Sequence, residues 1–101
     1  MPGVRFGNSY NFTTPQFVLK AKKNDLALNR FGVVVSKKID KRAVERNRIK
    51  RMFRDVLSDL CVNMLSGHDI LYIVRIGIVN KTKEEIQVLI KDSLQKAKLI
   101  K

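Results

Sequence analysis

Residues 42–64 read RAVERNRIKRMFRDVLSDLCVNM, and this stretch decides the fold. Ile49, Phe53, Val56, Leu60 and Met64 recur at spacings of four, three, four and four, and Met52 and Leu57 widen the stripe. Apolar residues at that interval share one face of a 3.6-residue helix. The segment is therefore predicted to be an amphipathic helix lying on a sheet. At about 100° per residue, Asn47, Lys50, Arg51 and Arg54 fall within an arc of about 100° opposite the stripe. Arg46 and Arg48 flank that arc on either side.

The flanking sequence supplies the sheet. Upstream, Gln16-Phe17-Val18-Leu19-Lys20-Ala21-Lys22 alternates, which puts Phe17, Leu19 and Ala21 on one face and Val18, Lys20 and Lys22 on the other. A turn region begins at Lys23-Asn24-Asp25 and runs to Asn29. Arg30-Phe31-Gly32-Val33-Val34-Val35-Ser36 reads as a β-branched strand, expected to pair antiparallel with the first. Downstream, Ser66-Gly67-His68 breaks the helix, and Asp69-Ile70-Leu71-Tyr72-Ile73-Val74-Arg75 is a nearly continuous apolar strand. Such a run predicts a central position buried on both faces. Thr82 followed by Glu85 matches a capping box, opening a helix with Ile86, Leu89, Ile90, Leu94 and Ala97 facing inward. Residues 1–15 are polar and carry Gly3, Gly7, Asn8, Asn11 and Pro15, the composition of a loop. The order strand, strand, helix, strand, helix gives an α+β domain with one small sheet and two packed helices. A length of 101 residues favours a single domain, 1–101.

Charge narrows the function. Twenty-one Lys and Arg against nine Asp and Glu leave +12, and a compact domain with that excess repels itself unless it meets a polyanion. Nine of the basic residues lie between positions 37 and 54: Lys37, Lys38, Lys41, Arg42, Arg46, Arg48, Lys50, Arg51 and Arg54. With only Asp40 and Glu45 opposing them, the excess there is +7. An ordinary solvated face mixes both signs, whereas here acids return only at Asp55 and Asp59. Arginine's planar fork of donors suits phosphate oxygens.

A DNA-reading helix should follow a helix-turn-helix pairing, but this one follows a strand, so DNA is not the expected partner. An interfacial membrane helix needs an exposed apolar face, which here belongs to the core. No apolar run reaches the roughly 18 residues of a membrane span, and the first residues lack a secretory apolar region. Folded RNA, bound through shape and phosphates, fits best. Cys61 stands alone, which suits a reducing cytoplasm, and reads as a small residue on a helix flank.

Other chemistries find little support. His68 has no second histidine and no nearby cysteine, so no metal site is expected. Ser36 has no base partner, the acids are scattered, and Glu84 and Glu85 suit a helix N-terminus. No glycine-rich phosphate loop is present. Met52, Phe53 and Tyr72 belong to the core pattern. Tyr10 and Phe12, outside the regular strands, are freer to meet RNA, though packing is the stronger reading. The chain alone is expected to carry no catalytic residue.

Phe31-Gly32-Val33-Val34-Val35-Ser36-Lys37-Lys38, then Ala43-Val44-Glu45-Arg46-Asn47-Arg48-Ile49-Lys50-Arg51-Met52-Phe53-Arg54, closely resembles the signature of the bacterial ribonuclease P protein subunit. The likeness runs over roughly residues 16–99. It implies a domain like the second domain of ribosomal protein S5, a four-stranded sheet with a left-handed strand–helix–strand crossover. The fourth strand is then expected as a short one near Tyr10 to Thr14.

The resemblance also implies an accessory role in tRNA maturation. A catalytic RNA uses Mg²⁺, held mainly by RNA, to remove the 5′ leader of precursor tRNA, so the enzyme is the holoenzyme. Arg46, Asn47, Arg48, Lys50, Arg51 and Arg54 match the family's RNA-contacting helix, and Ser36, Lys37 and Lys38 match the loop entering it. Lys41 and Arg42 join them on charge. A cleft between sheet and helices would hold the leader, with Val18, Lys20, Lys22, Val34 and Ser36 as candidates for its surface. Where the family often has a base-stacking aromatic, this chain has Lys20. Family members also begin with a basic helix, of which Val4-Arg5-Phe6-Gly7 matches only the last turn. The rival readings are a ribosomal or general RNA-binding protein of similar fold, and a self-sufficient nuclease.

Overall fold

A computed structural model describes residues 9–65 and 67–100. Its elements are β1 (Ser9–Thr13), β2 (Phe17–Lys23), β3 (Arg30–Val34), α1 (Ala43–Leu60), β4 (His68–Val74) and α2 (Lys83–Lys96). Short 3-10 turns follow α1 at Cys61–Asn63 and β4 at Ile76–Ile78. The mixed sheet has the order β1-β2-β4-β3. β2 is antiparallel to both β1 and β4, whereas β3 is parallel to β4, so β3–α1–β4 is a crossover unit.

The expected antiparallel pairing of the strands at 17–23 and 30–34 is overturned. They run in opposite directions, but β4 lies between them and takes hydrogen bonds from both. The reason lies in the six-residue connection, which is lashed across the start of β4. Asn24 N–H donates to the Gly67 carbonyl at 3.0 Å, Asn29 Nδ2 to Leu65 O at 2.9 Å, and His68 N–H to Asn29 Oδ1 at 2.8 Å. A tight hairpin is thereby replaced by a bridge over the most apolar strand.

β4 holds the expected central place, but among the described residues only one of its faces is covered. Ile70, Tyr72 and Val74 are buried while Leu71 and Ile73 are half-buried, so the expectation of two buried faces is corrected. The predicted helix over 42–64 is shorter, ending at Leu60 and tightening into the 3-10 turn. The short first strand falls inside the region predicted as loop, close to the position implied for a fourth strand. Val4-Arg5-Phe6-Gly7 lies outside the described residues.

The core sits between the sheet and the two helices. Phe17, Leu19 and Ala21 of β2 and Ile70, Tyr72 and Val74 of β4 meet Ile49, Phe53, Val56, Leu57 and Leu60 of α1 and Ile86, Ile90 and Leu94 of α2. Phe17, Phe53 and Tyr72 form an aromatic trio with centroid separations of 5.0 to 5.9 Å, two of its three contacts edge-on. Tyr10 and Phe12 lie on this same face, opposite Ala21 and Leu19, half-buried against the core. β1 turns these two rings toward the helices, which favours the packing reading. The predicted capping box is present, with Thr82 Oγ1 accepting from Glu85 N–H at 3.2 Å and Glu85 Oε1 from Thr82 N–H at 3.1 Å.

Candidate nucleic-acid interface

Burying the apolar stripe of α1 turns its opposite side outward. Asn47, Arg48, Arg51 and Arg54 are exposed, and Arg46 and Lys50 are half-buried. At ~1.5 Å per residue, the eight steps from Arg46 to Arg54 span ~12 Å, the reach of a few backbone phosphates. Ser36, Lys37 and Lys38 are exposed in the turn entering the helix, which Ile39 N–H closes onto the Ser36 carbonyl at 3.0 Å. Lys41 and Arg42 are exposed beside it.

The guanidinium groups divide into two sets. Arg42 is held by Asp40, with Nε to Oδ1 at 3.1 Å and Nη2 to Oδ2 at 3.0 Å. Arg48 is held by Glu45, with Nη2 to Oε2 at 3.0 Å. Arg46 Nη1 donates to the carbonyls of Asp40 and Lys41 at 3.1 and 2.8 Å. Arg51 and Arg54, by contrast, enter no ion pair among the described residues. Asp55, one of the few acids on α1, faces Lys83 of α2 at 3.7 Å instead of the arc. Two hydrogen bonds within its own segment, from the Arg42 guanidinium and then its backbone N–H, bring the Asp40 carboxyl down to about 2.

Electrostatics concentrate at one end of α1. Its N-cap is Arg42, with no side-chain cap, and basic residues crowd a terminus where the helix dipole is already positive. This arrangement works against the helix and in favour of an incoming anion. α2 shows the contrast, with its capping box and with Glu84 and Glu85 in its first turn.

The second candidate surface is the other face of the sheet. The register aligns Val18 with Ile73 and Val34, Lys20 with Leu71 and Gly32, and Lys22 with Asp69 and Arg30. Val18, Lys20, Lys22 and Val34 therefore share one face, as alternation requires. Ser36 lies past the end of β3, in the turn. The space between the sheet and α1 and α2 is filled by core, so these four residues lie on the face that those two helices leave open.

Sequence reading missed Leu71, Ile73, Arg30 and Asp69 on that surface. Leu71 and Ile73 belong to a nearly continuous apolar run, and strict alternation along β4 turns them outward. Arg30 and Asp69 meet only through the parallel register of β3 and β4. Arg30 grips Asp69 through Nε–Oδ1 and Nη2–Oδ2, both 2.7 Å. Those bonds first, and Asn24 Nδ2 at 3.0 Å second, hold the Asp69 carboxyl down to about 2. Among the described residues, no three His, Cys, Asp or Glu side chains converge as a metal site would require.

The comparisons agree with this geometry. The family model Ribonuclease P matches residues 4–98. The ribonuclease P protein component of Marinomonas sp. (strain MWYL1) is 51% identical over 63 residues, covering 62% of this chain and 47% of that protein. The corresponding component of Carboxydothermus hydrogenoformans is 36% identical over 98 residues, covering 95% of this chain and 81% of that protein. In solved form, the ribonuclease P protein of Staphylococcus aureus superposes with a TM-score of 0.83 at 31% identity, covering 92% of this chain and 84% of that one. The alignments span about half the length of some curated relatives, 47% for Marinomonas and 52% for Synechococcus.

Proposed function

The chain belongs to the ribonuclease P protein family, and from that premise we propose that it serves as the protein subunit of a ribonuclease P holoenzyme, binding the catalytic RNA and the 5′ leader of precursor tRNA. One observation carries this reading: α1 buries its apolar stripe and leaves a face of arginines exposed. Structured RNA presents phosphates at a spacing that such a face matches without reading bases.

In the proposed mechanism the protein neutralises charge. Arg46, Asn47, Arg48, Lys50, Arg51 and Arg54 meet RNA phosphates, with Ser36, Lys37, Lys38, Lys41 and Arg42 extending the contact around the helix N-terminus. Two RNA surfaces that repel each other can then approach. The leader lies across the open sheet face at Val18, Lys20, Lys22 and Val34, with Ser36 at the rim, where half-buried Leu71 and Ile73 provide an apolar floor. Hydrolysis of the phosphodiester is assigned to the RNA and its Mg²⁺, and the protein supplies no catalytic side chain. The chain acts as a single domain in the cytoplasm.

Reconstitution tests the reading. Adding the protein to a ribonuclease P RNA at low Mg²⁺ should stimulate removal of the leader, and the protein alone should cleave nothing. Binding without stimulation would mark a general RNA-binding protein instead. If six to eight phosphates are neutralised, log affinity should fall by roughly 0.7–0.9 per phosphate against log salt. A nearly flat response would contradict the mechanism.

A further inference from the structure

Two of the arginines assigned to RNA already hold an anion. Asp40 presents both carboxylate oxygens to Arg42, at 3.1 and 3.0 Å, and also accepts the Arg42 backbone N–H at 2.8 Å. Glu45 receives Arg48 Nε at 3.1 Å and Nη2 at 3.0 Å. All four side chains line one small cleft between the N-terminal half of α1 and residues 78–81. Both contacts use the edge of the guanidinium by which arginine grips a phosphate bidentately.

We propose that Asp40 and Glu45 are specificity-determining residues: internal anions that occupy Arg42 and Arg48 in the free protein and that RNA phosphates must displace. This inference rests on the RNA-binding role of α1 proposed above. Each carboxylate is tethered within three residues of its arginine, so its effective concentration there is high. A loosely held polyanion competes poorly against such a ligand. An RNA surface already fixed on Arg51 and Arg54, which have no internal partner among the described residues, delivers its phosphates at comparable effective concentration and wins. The two unencumbered arginines thus give general attraction, and the two occupied ones add binding only for an RNA of matching shape. With its carboxyl held down to about 2, Asp40 remains an ionised competitor at any physiological pH.

Fluorescence titration of Asp40→Asn and Glu45→Gln separates this from simple charge. Exposed pairs are weak, so each variant should bind polyuridylate about two- to fivefold more tightly, with a smaller gain for a ribonuclease P RNA transcript. The decisive arm repeats Asp40→Asn in an Arg42→Ala background and Glu45→Gln in an Arg48→Ala background, where the gain should vanish. An equal gain in those backgrounds would assign the effect to net charge and overturn the proposal, as would unchanged or weaker polyuridylate binding. Asparagine still accepts the Arg42 backbone N–H, and far-UV circular dichroism checks the helix. Glu45→Gln lies inside α1 and gives an independent measurement. Failure of the unsubstituted chain to bind ribonuclease P RNA would remove the functional reading and this inference together; failure of the coupling alone removes only the inference.

Discussion

Tyr72 of β4 and Ser93 of α2 join the two layers of the fold through a buried hydrogen bond, 2.9 Å between Oη and Oγ. Ser93 Oγ also lies 2.6 Å from the Ile90 carbonyl, which takes the serine proton, so the phenol is the donor to Ser93. Burial pushes the Tyr72 hydroxyl well above the ordinary tyrosine range. The two ends of this bond are not equivalent. Ser93→Ala strands a buried phenol and should cost ~1–3 kcal/mol, whereas Tyr72→Phe leaves Ser93 donating to Ile90 and should cost ~0.5–1.5 kcal/mol. Urea unfolding of both variants checks the order, and a milder Ser93→Ala would contradict it.

The Arg30–Asp69 pair gives the fold an acid-sensitive component. The folded carboxyl of Asp69 is held down to about 2, below its unfolded value, so its contribution is complete above pH ~4 and is lost as the pH falls toward 2. Asp69→Asn should therefore be less stable than the parent at pH 7, and the two melting temperatures should converge near pH 2. Asp40 titrates in the same window, so the variant keeps some acid dependence of its own. A constant gap between the two curves would show that the pair contributes nothing through ionisation.

Gly77 and Gly32 should respond unequally to a methyl group. A Cβ on Gly77 would sit 2.3 Å from the Pro15 carbonyl oxygen, a backbone atom fixed by the Gly77 N–H at 3.0 Å. A Cβ on Gly32 would meet only Leu71 Cδ1, at 3.1 Å, the end of a flexible side chain on the open face. Gly77→Ala should lower stability by ~1–3 kcal/mol, and Gly32→Ala by well under 1 kcal/mol. Thermal denaturation of the two variants provides the comparison.

What could be read from the sequence followed local physics. The α1 stripe, its arginine face, the Thr82–Glu85 cap and the faces of β2 all arise from periodicity within one segment, and each appears in the structure. The insertion of β4 between β2 and β3 depends on Asn24 and Asn29 reaching residues some forty positions away, and no local pattern encodes that. The same holds for the Arg30–Asp69 pair. The internal occupancy of Arg42 and Arg48 was in principle legible, since Asp40 and Glu45 lie two and three residues from them. A charge count sets these two acids against the basic run as a whole, whereas the structure pairs each with one arginine.

Arg51 and Arg54 should behave as independent phosphate contacts. Neither has an internal ion-pair partner among the described residues, so their removal leaves no carboxylate stranded and stability should change by less than ~0.5 kcal/mol. Affinity for ribonuclease P RNA should fall, and the slope of log affinity against log salt should shrink by roughly 0.7–0.9 for each alanine. A loss of affinity with an unchanged salt slope would mean that these residues act through something other than phosphate.

Lys20 tests the leader surface. It is exposed on β2, in register with Leu71 and Gly32 on the face that α1 and α2 leave open. An ammonium there neutralises a phosphate but offers no ring to a base, so leader recognition should be electrostatic and tolerant of leader sequence. Lys20→Ala should weaken binding of precursor tRNA more than of mature tRNA, with a salt slope smaller by roughly 0.7, as for one single-strand phosphate. Lys20→Phe should recover affinity by a different route, since stacking is worth ~1–3 kcal/mol per base where it occurs. The recovered binding should be less salt-dependent and should vary with the base placed opposite. Equal losses for precursor and mature tRNA in Lys20→Ala would place the leader elsewhere on the protein.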